Sequence, residues 1–216
     1  VALSPLELGL ALRVCLLAVV CALVSIAFCV AMHKTEQFAA KLVKNIYLRA
    51  FIGGIIVIAL TLIVGSESYN GIGTDVIASA LGEGKAPTWG FLLKIIFTAV
   101  TIGFGFKGGE IVPSFFVGAT FGCTAGALLG LDPAFGAAVG LTALFCGVTN
   151  CPLTALVLSF EVFSFCNPGG FLMAVAVSFV VSGYGGLYAK QKFAFSKSAS
   201  PEGLAHTDRQ EHDEPR

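Results

Sequence analysis

Apolar residues in this chain gather into long uncharged runs separated by short polar or Gly-rich breaks. The first run, Val14 to Met32, is 19 residues, enough to cross a bilayer. It is longer than a typical signal-peptide core and no obvious cleavage motif follows it. A second apolar run covers Phe51 to Val64. The Gly-rich stretch from Ser66 to Pro87 contains Val76 to Leu81, which reads as a short helix or re-entrant segment. Trp89 marks a membrane-water interface. A third run, Trp89 to Phe106, is interrupted by Lys94, and a fourth spans Ile111 to Leu131.

Two further stretches, Pro133 to Phe160 and Val162 to Ala189, are each 28 residues without a charge. Gly147, Asn150 and Pro152 divide the first into two shorter helices. Asn167 to Gly170 and Gly183 to Gly186 break the second near its two ends. Roughly seven to nine helical pieces result, several too short to cross a hydrocarbon core of about 30 Å alone. The expected fold is all-α, a polytopic membrane protein with broken and re-entrant helices. Irregular backbone at membrane depth needs protein or a water-filled cavity to satisfy its polar groups, so the breaks are where function is expected.

Composition supports this reading. The 216 residues are 56% hydrophobic and only 12% charged, far from an ordinary soluble domain. Thirteen basic and 13 acidic residues cancel, which leaves no basic surface for nucleic acid. Charge is also unevenly placed: Glu161 is the only charged residue between Pro133 and Ala189, whereas six charges crowd the last nine positions. We therefore expect a membrane body over residues 1–198 and a polar cytoplasmic tail over 199–216. Lys34, Lys41, Lys44 and Arg49 put the Met32 to Arg49 loop on the cytoplasmic side, and Lys190, Lys192 and Lys197 put the end of the last run there too. With Val1 in place of an initiator Met, the chain is expected to be part of a longer protein.

The sharpest local signal is Lys107-Gly-Gly-Glu-Ile-Val-Pro-Ser-Phe-Phe116. Gly108 and Gly109 permit close backbone approach, and Pro113 is shaped for the first turn of a helix. Such a start leaves the amides of Glu110, Ile111 and Val112 without intrahelical acceptors. Free N–H groups and the helix dipole both favour an anion. A Gly pair before a membrane helix also serves packing or turning. Glu110 also reads as a capping carboxylate or a partner of Lys107.

At this motif the chain resembles the CLC family of chloride channels and chloride/proton exchangers, whose Gly-x-Phe-x-Pro motif opens an anion-binding helix. Gly109 and Pro113 match it, and Ile111 stands where the family has Phe. The stretch Gly147 to Phe163, with Pro152-Leu-Thr154 and Glu161, is similar to a second family segment. The resemblance covers about residues 7 to 198 and implies the later part of the membrane domain: the second half of an inverted repeat, in a homodimer with one pathway per subunit. It implies movement of chloride or a similar small anion, by channel or proton-coupled exchange, with fluoride as an alternative ion. The anion would meet Gly108, Gly109, Glu110, Ile111, Val112 and Pro113. Phe195 would stand where the family places a Tyr whose hydroxyl contacts the central anion; a Phe has no such donor. The family's front motifs, including its gating Glu, have no counterpart here.

Other chemistry is poorly supported. No His lies inside an apolar run, so an intramembrane hydrolase lacks a base. Cys146 and Cys151 lack metal-ligand spacing, and no cofactor is expected. The seven cysteines are odd in number and nearly all sit in apolar runs, where a thiol behaves as a small hydrophobe. Lys94 and Arg13 read as snorkelling or paired side chains. Glu161, deep in an apolar stretch, reads as functional or as bonded to a neighbouring helix end. A third reading, a non-transporting assembly fragment, draws on the small residues of Phe121 to Ala127 and Phe135 to Gly140.

Overall fold

The computed structural model describes residues 8–164 and 167–188, and among them every regular element is an α-helix. In chain order these are α1 (Leu8–Leu42), α2 (Ile46–Val64), α3 (Thr74–Gly82), α4 (Gly90–Gly103), α5 (Ile111–Leu128), α6 (Pro133–Thr149), α7 (Pro152–Val162) and α8 (Pro168–Val181). Three of them, α1, α2 and α5, are long and apolar enough to cross a membrane.

Helix α1 differs most from expectation. The segment expected as a loop from Met32 to Arg49 is helical through Leu42, and only Val43 to Asn45 joins α1 to α2. Lys34, Glu36, Gln37 and Lys41 are good helix formers whose side chains stay exposed, while Ala39 packs inward. At about 1.5 Å per residue, the 35 residues of α1 reach about 52 Å, well beyond the hydrocarbon core. Asn45 then starts α2 by accepting the Tyr47 amide at 3.0 Å.

The core is built on α6. Every residue from Gly136 to Thr149 is buried, so this helix has no polar face and needs none. Its two threonines satisfy their hydroxyls locally, Thr142 on the Ala138 carbonyl at 2.9 Å and Thr149 on Phe145 at 2.7 Å. Asp132 caps its start through the Phe135 amide at 2.9 Å, with Pro133 at the first helical position. Asn150, at φ 55°, ends it. Pro152 then begins α7, so the 28-residue uncharged stretch is two helices, as expected.

Helix α5 lies against α6 along a row of glycines. A Cβ on Gly122 would sit 2.3 Å from the Gly136 carbonyl oxygen, and one on Gly140 would sit 2.5 Å from the Gly118 oxygen. Backbone meets backbone here, so no side chain can move aside to make room. On other faces of α6, Ser178 of α8 donates to the Ala143 carbonyl at 2.6 Å, and a Cβ on Gly147 would meet Ser25 of α1. Helix α2, by contrast, presents Phe51, Ile55, Ile58 and Leu62 outward.

Replacing Gly140 with Leu should separate α5 from α6 and cost about 3 kcal/mol or more, because overpacking against backbone has no cheap relief. Gly82, whose Cβ would meet open space, serves as the control. Thermal unfolding in detergent should show a large drop for Gly140→Leu and little change for Gly82→Ala; equal stability of the two variants would contradict this packing.

Candidate functional site

The break between α4 and α5 is held from both sides. Phe104, Gly105 and Phe106 donate their amides back to Val100, Ile102 and Thr101 at 3.0, 2.9 and 3.2 Å, which closes the end of α4. Gly105 sits at φ 100°, a conformation open to glycine, with the Arg49 guanidinium of α2 against it. Gly103 rests on Thr35 and Glu36 of α1, where an added Cβ would come within 2.8 Å of the Thr35 methyl. The break is therefore level with the first polar turn of α1, just beyond Met32.

Beyond Phe106 the backbone has no such ties. Helix α5 makes its first return bond from Ser114 to the Glu110 carbonyl at 3.3 Å. Pro113 has no N–H to spend. The amides of Glu110, Ile111 and Val112 meet no acceptor among the described residues, as anticipated for an open helix start. The Glu110 side chain makes no capping hydrogen bond, and among the described residues it pairs with no cation. Neither the capping role nor the Lys107 pair expected for it is therefore formed. His33 and Glu36 of α1 are within electrostatic reach of its carboxyl.

Gly108 and Gly109 behave differently from expectation. A Cβ at either position would meet nothing within 4 Å, and neither backbone is in the left-handed region. Rather than permitting a close helix contact, they leave space open. Two cavities, of about 340 and 640 Å³, share Gly108, Gly109 and Val112 in their walls. Pro113 borders the first, while Glu110 and Ile111 border the second. The six contiguous residues singled out from sequence, 108 to 113, thus lie together between two cavities. Phe195 lies outside the described residues.

Sequence reasoning undervalued Lys94. It does not snorkel: the residue is 1% exposed, and its ammonium donates to the Tyr69 carbonyl at 3.1 Å and to the Gly71 carbonyl. It also stands over the Phe116 ring, 4.9 Å from the centroid, and borders the smaller cavity. Its place inside an apolar run was the available signal. Arg13 likewise donates to a backbone carbonyl, that of Gly130 at 3.0 Å near the end of α5. Glu161 is exposed on α7 in a groove with Leu153 and Val157, away from this break. Among the described residues no His, Cys, Asp and Glu group could hold a metal.

Comparison with known proteins gives one consistent picture. The chain is 34% identical over 203 residues to a chloride/fluoride channel protein of Pseudomonas syringae pv. tomato, covering 91% of this chain and 45% of that one. Its fold matches the crystal structure of a CLC-type fluoride/proton antiporter with a TM-score of 0.82 at 25% identity, over 86% of this chain and 47% of that one. The chain thus spans a little under half the length of each relative. Residues 2–183 match the family described as voltage gated chloride channel. On that match, and with apolar helices interrupted as described, this multi-pass membrane chain belongs to the voltage gated chloride channel family.

Proposed function

We propose that the protein carries a small anion, chloride or fluoride, across a membrane, and that the amides of Glu110, Ile111 and Val112 bind it along the way. The observation that carries this reading is the unpaired start of α5 between two cavities. Three preorganised donors can replace water around an anion without moving, and the helix dipole adds to their attraction. The task is transport rather than catalysis: the donors face space that an ion can enter. On the family resemblance alone we assign Phe195 to the wall of a central site and the unit to a homodimer with a pathway in each subunit.

Both relatives are roughly twice as long as the matched stretch, so the opposing wall of the path is assigned to sequence of that kind, in the same protein or another chain. Fluoride is the second reading for the ion, favoured because both relatives carry it in their names. A smaller, more strongly hydrated ion needs shorter and stronger hydrogen bonds in place of its water.

Full-length protein in liposomes should release chloride or fluoride down its gradient, and imposing a pH gradient distinguishes a channel from a proton-coupled exchanger. Ile111→Pro removes one amide at a helical position where proline is tolerated, and should weaken apparent anion affinity by about tenfold or more. Wild-type affinity in that variant would exclude the Ile111 amide as a ligand. Gly109→Ala, whose methyl enters the space between the cavities, should reduce flux while changing stability by less than about 0.5 kcal/mol. Loss of stability with full flux would reverse that assignment. Phe195→Tyr adds a donor and should shift affinity or selectivity; identical behaviour of the two proteins would remove Phe195 from the wall.

A further inference from the structure

The corner where α1 hands over to α2 combines charge and apolar surface in a way the anion path does not use. Beyond Met32, α1 continues to Leu42, about 15 Å along its axis. At 3.6 residues per turn, Lys34, Phe38, Lys41 and Leu42 fall within an arc of about 100° on this extension. All four are exposed, Phe38 at 63% and Leu42 at 61%. Glu36 is the acid between Lys34 and Asn45, and it lies about 200° round from Lys34, on the side where its backbone meets Gly103 of α4. The outward side of the extension therefore carries two lysines, two large apolar side chains and no carboxylate.

Helix α2 prolongs this surface. Lys44, in the link, is exposed, and Tyr47, Phe51, Ile55, Ile58 and Leu62 follow at helical spacing as one exposed stripe. The stripe runs about 22 Å, more than the ~15 Å that one leaflet gives to the hydrocarbon core. Arg49 turns the other way, against Gly105, so the outward charge rests on Lys34, Lys41 and Lys44.

Lysines mixed with exposed apolar side chains, just past the apolar run of a spanning helix, stand at the depth of lipid headgroups. A covering protein segment would have to bury three ammonium groups, whereas a phospholipid offers a phosphate and an acyl chain side by side. The net positive charge selects an anionic lipid over a zwitterionic one. We propose that this corner binds an anionic phospholipid, its phosphate among Lys34, Lys41 and Lys44 and an acyl chain along the Tyr47 to Leu62 stripe. Because Gly53 of α2 packs on Phe104 and Arg49 on Gly105, a lipid that steadies α2 also steadies the end of α4. The inference rests on the chain lying in a membrane and is independent of which ion it moves.

Full-length protein in detergent, titrated with phosphatidylglycerol or phosphatidylcholine and followed by native mass spectrometry and thermal unfolding, tests the site without requiring flux. Wild type should retain phosphatidylglycerol preferentially and unfold at a higher temperature with it. Lys34→Gln, Lys41→Gln and Lys44→Gln should each weaken that retention by about fivefold, and the three together should abolish the preference. All three side chains are exposed, so the unfolding temperature without lipid should stay put. Lys85→Gln, equally exposed but beside the start of α4, should change nothing. Equal retention of the two lipids by wild type, or a preference that survives the triple substitution, would overturn the proposal. So would an equal thermal shift from inorganic phosphate alone, which would point to a free-phosphate site. Acetylation by an aqueous reagent should reach the three lysines in phosphatidylcholine micelles; resistance there would mean that protein covers the corner, and would also overturn it.

Discussion

The contact between α5 and α6 fixes where everything else can be. Gly118, Gly122, Gly136 and Gly140 bring two helix backbones to a separation that no side chain permits. Helix α6 is surrounded by protein over fourteen consecutive residues, Gly136 to Thr149, so α5 inherits a fixed position from a helix that cannot shift. The first turn of α5 is thereby held still, and amides that do not move can bind an ion without a reorganisation cost.

A second constraint acts at the other end of the break. Backbone leaving a helix must find hydrogen bonds, and the end of α4 finds them through Phe104, Gly105 and Phe106. Gly53 of α2 packs against Phe104, and Gly103 packs against α1. The chain is tied until Phe106 and then released, which confines the unpaired amides to one short stretch. Val112 borders space on both sides and Glu110 and Ile111 on one, whereas the buried end of α6 is closed by its own turn at Asn150.

Much of this was legible in the residues. Uncharged runs interrupted by Asn, Pro and Gly marked the α6 to α7 and α7 to α8 breaks, because proline at a helix start and asparagine in a left-handed turn have local causes. The Gly108 to Pro113 break was visible for the same reason. What was not legible depended on partners distant in sequence. Helix α1 runs on through Leu42 because its charged residues find a solvated face while Ala39 finds a packed one, and charge alone read as a loop. Lys94 read as a snorkelling or paired side chain, and its partners could not be named because the Tyr69 and Gly71 carbonyls that hold it lie more than twenty residues away. Gly108 and Gly109 read as contact glycines; only the folded chain reveals the open space beside them.

The central claim is that main-chain nitrogens at the start of α5 coordinate the anion. Backbone amide resonances of Glu110, Ile111 and Val112, followed by NMR in isotope-labelled full-length protein during halide titration, test it most directly. The account predicts saturable shifts at these three amides with chloride or fluoride, larger than at the capped start of α2. Resonances that stay fixed across the titration, while the protein still transports the ion, would contradict it.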